Sequence, residues 1–165
     1  MLYPKEYLNN VTEITTDFLN QNQLKGVILD VDNTLIDFNK KLLDGVEEWI
    51  KELKENGIKF CIVSNSNKVE KVKKVAGTLQ IPFIYFAKKP LKSGFKKAKQ
   101  ILKLEAKNIA VVGDQIMTDI IGANRCKMFS ILVKPIEEKD YFITRVKRPI
   151  EKRIIQKYLK NKNSI

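Results

Sequence analysis

Short apolar runs alternate along the chain with segments whose apolar residues recur at helical spacing. The runs predict five buried strands, at Val27–Asp30, Ile58–Val63, Phe83–Phe86, Ile109–Val112 and Ser130–Val133. Strands that alternate with helices of about 10–15 residues are typical of βαβ units. The pattern therefore predicts an α/β fold, a doubly wound (Rossmann-like) parallel sheet with helices on both faces.

The helices between these strands carry recognisable start and stop signals. Asp44 with Glu47, and Asn67 with Glu70, have the spacing of capping boxes, and Gly57 is placed to end the first helix. The apolar faces expected to pack on the sheet are Val46, Trp49, Ile50 and Leu53; Val69, Val72, Val75, Ala76 and Leu79; Phe95, Ala98, Ile101 and Leu102; and Ile120 with Ile121 in a short helix.

A chain of 165 residues has room for a single domain, residues 1–165. We expect a lead-in of one or two short helices at 1–24, the core at 25–135 and a basic helical tail at 136–165. The tail repeats apolar residues every four positions, which predicts an amphipathic helix. The apolar stripe of this helix consists of Val146, Ile150, Ile154 and Tyr158. It either enters a membrane interface or packs against the sheet.

The composition excludes histidine-dependent chemistry and bears on the expected cellular compartment. Histidine is absent, which excludes Ser-His and Cys-His nucleophiles and His-ligated zinc. Two cysteines, Cys61 and Cys126, are too few for a disulfide framework, so we expect a reducing cytosol. No apolar run approaches the about 18 residues that span a bilayer, and the first residues lack the pattern of an export signal.

Positive charge is concentrated in two segments. The net charge is +12, from 31 Lys and Arg against 19 Asp and Glu, whereas residues 1–40 are acidic. Residues 88–107 hold eight lysines against Glu105, and residues 141–165 hold eight Lys or Arg against Glu151. This distribution indicates a negatively charged partner or substrate. For residues 88–107, a merely solvated lysine face from biased composition is an equal alternative.

The strongest chemical signal follows the first strand, where Asp30 and Asp32 open the sequence Asp-Val-Asp-Asn-Thr-Leu. Two carboxylates two residues apart on a strand point the same way and repel each other unless a cation or a positive side chain lies between them. Ser64, Lys89 and Asp114 fall at the ends of later elements. In a doubly wound sheet these ends share one edge, where ligands bind.

These positions, with Thr34, Gly113 and Asp119, resemble the four motifs of the haloacid dehalogenase (HAD) superfamily of phosphohydrolases over about residues 27–135. More narrowly, the chain resembles the YqeG-type phosphatases of HAD subclass IIIA, which are similar to the mitochondrial phosphatidylglycerophosphate phosphatases. The narrower resemblance is carried by Asp32-Asn33-Thr34-Leu35, Ile81-Pro82-Phe83, Lys89-Pro90, Gly113-Asp114-Gln115, Thr118-Asp119, and Gly122 with Asn124-Arg125.

The resemblance implies a role for each catalytic position. Asp30 would attack phosphorus and form an aspartyl phosphate. Asp32 would protonate the leaving oxygen and then activate water. Ser64 would donate a hydrogen bond to a phosphoryl oxygen, and Lys89 would neutralise developing charge. The residues expected to bind substrate are Thr34 and Asn65.

The cofactor implied by the resemblance is Mg²⁺, which prefers oxygen ligands. Asp30, the backbone carbonyl of Asp32 and Asp114 suit this ion, and Asp119 would support it from a second shell or through water. The spacings also leave no room for a cap domain, which needs at least about 40 residues. Only 25 residues separate Asp32 from Ile58, and one helix uses about half of them. We therefore expect no cap domain. The site is then either open, accepting a phosphate on a bulky or surface-bound molecule, or closed only by another subunit.

These features favour a Mg²⁺-dependent phosphatase of a lipid phosphate such as phosphatidylglycerophosphate, cytoplasmic and in peripheral contact with an anionic membrane. A phosphatase of a nucleic-acid end or small metabolite is the alternative. Nucleic acid is not favoured, because the tail interleaves few aromatic residues with its charges. A receiver-like phosphoacceptor domain is less favoured still, because there the acidic pair and the phosphoacceptor lie on different strands.

Overall fold

Six parallel strands form the centre of the molecule. The computed structural model describes residues 1–138 and 142–164, with the side chains of residues 142–146 excepted. The strands lie in the order β1-β6-β5-β2-β3-β4, and every paired neighbour is parallel. They span Glu6–Leu8 (β1), Gly26–Leu29 (β2), Lys59–Val63 (β3), Phe83–Ile84 (β4), Ile109–Gly113 (β5) and Phe129–Val133 (β6).

Helices connect the parallel strands along the chain. They span Thr16–Gln21 (α1), Val46–Glu55 (α2), Val69–Leu79 (α3), Lys92–Leu102 (α4), Ile121–Arg125 (α5) and Phe142–Asn163 (α6), with a π-helical turn at Ile116–Ile120 and 3₁₀ turns at Val11–Glu13 and Ala106–Asn108. The predicted doubly wound α/β architecture is confirmed. In the described ranges, no helix is long and apolar enough to cross a membrane.

The core lies on both faces of the sheet because successive strand residues point to opposite sides. Along β2, Val27 and Leu29 face α1, α2 and α3, where Trp49 packs edge-on against Phe60. Ile28 faces the other layer, which α4 and α5 supply around the fully buried Phe95. Ile101, predicted to be part of the α4 core face, is instead 46% exposed.

The N-terminal segment differs from the predicted helical lead-in. Residues Glu6–Leu8 form a sixth strand, which pairs with β6 at one edge of the sheet, and only the rest of 1–24 forms short helices. The strand has three half-buried residues and no apolar alternation, so periodicity does not reveal it. Asn124 holds this segment in place, because its amide donates to the carbonyls of Met1 and Tyr3.

Neither predicted capping box forms. Helix α2 begins after Gly45, whose φ of +86° turns the chain without a side-chain cap, rather than at Asp44. Helix α3 follows Lys68, and the hydroxyl of Ser66, not the side chain of Asn67, accepts the hydrogen bond from the Lys68 N–H. Gly57 has a φ of +82° just after α2, as the predicted helix end requires.

The C-terminal helix packs against the β1–β6 edge of the sheet. Ile154 and Ile155 contact a small cluster formed by Ile116, Ile120 and Leu132, and the Tyr158 ring lies 6.2 Å from that of Tyr3. The predicted stripe is thus only partly correct, because Ile150 is 52% exposed and the side chain of Val146 lies outside the described part. A spacing of four residues drifts about 40° per step around a helix, so the stripe does not stay on one face.

Candidate active site

Three buried carboxylates meet at the carboxyl edge of the sheet. Pairing of Leu29 with Val112 sets the ends of β2 and β5 side by side, and the Asp30 N–H donates to the Val112 carbonyl. Oxygens of Asp30, Asp114 and Asp119 all lie within 4.8 Å of one another. Asp119, which the sequence analysis expects to support the metal from a second shell or through water, has its carboxylate within this group.

Lys89 is the positive charge inside this carboxylate cluster. Its ammonium donates to Asp30 at 2.8 Å and to Asp119 at 2.6 Å, and its side chain is 3% exposed. Burial alone would lower the pKa of Lys89, but the carboxylates of Asp119 and Asp30 outweigh it and raise that pKa above its usual value. Lys89 therefore stays charged beside the predicted nucleophile.

Asn65 holds the backbone of Lys89 rather than reaching into the cluster. Its amide oxygen accepts from the Lys89 N–H at 2.6 Å, and its amide nitrogen donates to the Lys89 carbonyl at 3.1 Å. These two contacts join the loop after β3 to the loop after β4. In this arrangement Asn65, predicted to bind substrate, positions a charged residue of the site.

Thr34 and Ser64 are buried hydroxyl residues at the same edge. The Thr34 hydroxyl lies 3.3 Å from a carboxylate oxygen of Asp30 and 3.3 Å from one of Asp114, so its single proton bridges two acids. The Ser64 hydroxyl accepts from the Ser66 N–H at 3.1 Å. A hydroxyl is also a donor, and that contact leaves the Ser64 proton available for an anionic oxygen.

Gly113 makes the approach of Asp119 feasible. A Cβ atom at Gly113 would collide with the carboxylate of Asp119. The π-helical turn returns Asp119 to the strand end, where one of its oxygens accepts from the Gln115 N–H at 3.2 Å. In the Gly113-Asp114 pair singled out from the sequence, the glycine is thus required for steric reasons, while the predicted role of the aspartate is chemical.

Asp32 lies at the border of the site. Its side chain is 33% exposed, and it accepts a hydrogen bond from the Lys71 ammonium at 2.7 Å. Its carboxylate is not a member of the three-acid cluster. Asp32 is therefore separate from the buried acids and partly open to solvent.

Two functional residues that the sequence did not single out come from α6. Arg148 donates to the Asp114 carboxylate at 2.6 Å and to the Asp114 carbonyl at 2.8 Å, and it pairs with Glu151 at 3.2 Å. Glu151 is 2% exposed and accepts from the Met117 N–H. One signal was present in the sequence, because Glu151 is the single acid among residues 141–165, three positions after an arginine.

The electrostatics of the cluster favour a bound cation. Burial, then the charges of Asp30 and Asp119, raise the pKa of Asp114 well above its usual range, and Arg148 opposes the rise. Burial also raises the pKa of Asp119 to about 6, although Lys89 opposes it. Three buried oxygen donors that repel one another suit a hard divalent metal ion. Asp30, Asp114 and Asp119 are the carboxylates able to hold it.

Comparison with known proteins identifies the class. Residues 38–127 match the model of the haloacid dehalogenase-like hydrolase family, and the chain belongs to this family. It is also 41% identical over 163 residues to the "Probable phosphatase YqeG" of Bacillus subtilis, which covers 98% of this chain and 94% of that protein. Together the family and this relative support a phosphatase, an enzyme that acts on a phosphorylated substrate.

Solved structures share the fold. An uncharacterised protein from Listeria monocytogenes superposes with a TM-score of 0.58 at 22% identity, over 72% of this chain and 85% of its own. An uncharacterised protein from Corynebacterium glutamicum superposes with a TM-score of 0.56 at 17% identity, over 77% and 93%. At these identities the comparison supports the HAD-like fold alone.

Proposed function

We propose that this phosphatase is a Mg²⁺-dependent phosphomonoester hydrolase that acts through an aspartyl phosphate on Asp30, and that its substrate is a lipid phosphate such as phosphatidylglycerophosphate. The observation that carries the mechanism is the contact of the Asp30 carboxylate with the Lys89 ammonium within the buried acidic cluster. A nucleophile, a fixed positive charge and metal ligands are what an anionic phosphate ester requires.

The reaction would proceed in two steps with Asp32 moving the proton. An Asp30 oxygen forms a bond to phosphorus while the bond to the alcohol oxygen breaks, and Asp32 donates a proton to that oxygen. Water then attacks phosphorus as Asp32 removes its proton, and the bond to Asp30 breaks to release inorganic phosphate. Lys89 and Ser64 stabilise negative charge on the phosphoryl oxygens in both steps.

The metal would be held by Asp30, Asp114 and Asp119 together with the Asp32 carbonyl. When bound, Mg²⁺ supplies positive charge that offsets repulsion between the carboxylates and the phosphate. Lys89 pairs with Asp30 and Asp119, and Arg148 pairs with Asp114, so each of the three acids has a cationic partner. Thr34 and Asn65 fix the positions of the groups around them.

A lipid substrate is supported by the openness of the site and by its motifs. In the described part of the chain, the loops 30–45 and 64–68 carry no inserted domain over the carboxyl edge. The motifs around Asp32, Lys89 and Asp114 resemble those of the mitochondrial phosphatidylglycerophosphate phosphatases. Exposed lysines suit an anionic membrane surface.

Phosphate release from matched substrates tests the proposal. The set contains phosphatidylglycerophosphate in mixed vesicles, the same head group without acyl chains, a nucleoside monophosphate and a 5′-phosphorylated oligonucleotide, each with Mg²⁺ or a chelator. We expect metal-dependent release, with kcat/KM highest on the lipid by about ten-fold or more. A preference for the oligonucleotide or the soluble esters would refute the lipid substrate. Release without metal, or equal release by Asp30→Asn, would refute the mechanism.

A further inference from the structure

The loop that carries Lys89 exposes an unusual amount of apolar surface. We define residues 85–92 as the rim loop. Tyr85, Phe86 and Leu91 are 45%, 53% and 52% exposed, whereas Ala87 and Lys89 between them are buried. The rim loop therefore buries Ala87 in the hydrophobic core and Lys89 in the site, and it exposes its large apolar residues to solvent.

The exposure of Phe86 is imposed by the backbone. The Phe86 N–H donates to the Ser66 carbonyl at 2.8 Å, and the Ala87 N–H donates to the Ser64 carbonyl at 2.9 Å. Phe86 and Lys88 have φ angles of +48° and +57°, a left-handed conformation that is rare for bulky side chains. Strain of this kind persists where surrounding contacts enforce it and is common at ligand sites.

The rim loop also lies in a purely basic segment. Residues 85–103 contain seven lysines and no Asp or Glu, and the ammonium of Lys88 lies 5.1 Å from the centre of the Phe86 ring. Lys88 and Lys92, on either side of the buried Lys89, are exposed. Aromatic and aliphatic side chains among lysines are the combination that binds the interface of an anionic bilayer.

The C-terminal helix offers this combination less compactly over residues 147–164. Its Ile154 and Tyr158 pack against the body of the protein, whereas its exposed apolar residues, Ile150 at 52% and Leu159 at 39%, lie nine positions apart and include no aromatic ring. Charge alone brings a protein to an anionic surface, but insertion needs exposed apolar side chains beside it.

We propose that the rim loop is the surface by which this protein docks on an anionic phospholipid bilayer. Tyr85, Phe86 and Leu91 enter the interface, the neighbouring lysines bind lipid phosphates, and the loop brings a head-group phosphate to Lys89 and Asp30. The proposal rests on the lipid substrate proposed above and assigns the residues that contact the membrane.

Vesicle flotation of the full-length chain tests the docking surface. The probe is vesicles of phosphatidylcholine alone or with phosphatidylglycerol, and the variant is Phe86→Asn, because Asn removes the ring yet accepts a left-handed backbone. Ile101→Asn is the matched control, since Ile101 is 46% exposed on α4. We expect binding to anionic vesicles alone, about ten-fold weaker for Phe86→Asn and within about two-fold of the parent for Ile101→Asn.

A parallel assay separates this proposal from the proposed function. Phe86→Asn should hydrolyse a soluble aryl phosphate at the parental rate and lose activity on vesicles only. Equal vesicle binding by Phe86→Asn and the parent, or no binding by the parent, would overturn the docking surface while soluble turnover still supports the phosphatase. Loss of self-association instead of vesicle binding in Phe86→Asn would overturn it in favour of an interface between two copies. Ring-dependent vesicle binding without hydrolysis of any ester would support docking and refute the lipid substrate.

Discussion

Arg148 donates hydrogen bonds to both the carboxylate and the backbone carbonyl of Asp114, at 2.6 and 2.8 Å, across 34 residues of sequence. The pair fastens α6 to the end of β5, and Glu151 accepts from the same guanidinium nitrogen that donates to the Asp114 carbonyl. A helix that the sequence presents as a basic tail is therefore part of the framework of the active site. Removal of α6 would leave the Asp114 carboxylate buried beside Asp30 and Asp119 without the charge of Arg148.

Arg148→Ala should destabilise the metal-free protein. Breaking a buried ion pair by removing one partner costs about 3 kcal/mol, because the remaining charge is uncompensated. Saturating Mg²⁺ should restore part of this loss, since the cation replaces the missing charge. The measurement is the free energy of unfolding by urea with and without Mg²⁺.

Two variants control this measurement. Arg153→Ala removes an exposed arginine of the same helix, and it should change the free energy of unfolding by no more than about 0.5 kcal/mol. Asp114→Asn combined with Arg148→Ala should be more stable than Arg148→Ala alone, because both charges are gone. Equal stability of Arg148→Ala and the parent would show that the pair carries no such role.

Asn65→Ala should lower kcat by about ten-fold or more and leave KM nearly unchanged. The variant removes both contacts to the Lys89 backbone but no group that contacts the phosphate in this account, and small misplacements of a catalytic charge are costly. Steady-state kinetics on a soluble phosphate ester measure both constants. A higher KM with unchanged kcat would instead assign Asn65 to substrate binding.

Gly113→Ala should displace Asp119 and abolish activity, because the new Cβ would occupy the space of its carboxylate. Gly77→Ala is the matched control. Gly77 lies in α3 with open space around its would-be Cβ, so alanine there should raise the free energy of unfolding by about 0.5–1 kcal/mol. Full activity of Gly113→Ala would refute the steric argument.

Metal affinity should depend on pH through the acids of the cluster. Burial raises the pKa of Asp119 to about 6 and that of Asp114 well above its usual range. Below these pKa values the metal-free protein holds protons that a cation must displace, so apparent Mg²⁺ affinity rises with pH and levels off once they are lost. Calorimetry from about pH 5 to about pH 8 should show proton release on binding, and less of it in Asp119→Asn. A pH-independent affinity would contradict this assignment.

Strands β2 to β6 and the motif at their ends were predictable because both are local in sequence. Asp30, Ser64 and Asp114 each follow an apolar run, and the rule that parallel strands share a carboxyl edge brings them together. The contacts of Arg148 with Asp114, and the hydrogen bonds of Asn65 to the Lys89 backbone, depend on packing between distant segments. Periodicity does not encode such packing. The helix starts were mispredicted because Gly45 and Ser66 provide turns that compete with the nearby capping residues.

The most direct test of the account is to trap phosphate on Asp30. In Asp32→Asn, loss of the group that activates water should slow breakdown of the covalent intermediate. We predict that rapid quenching of this variant with substrate and Mg²⁺, followed by peptide mass spectrometry, finds a hydroxylamine-sensitive phosphate on Asp30. The double variant Asp30→Asn with Asp32→Asn should carry none. Phosphate on another residue, or none on Asp30 while the variant still releases phosphate, would contradict the mechanism.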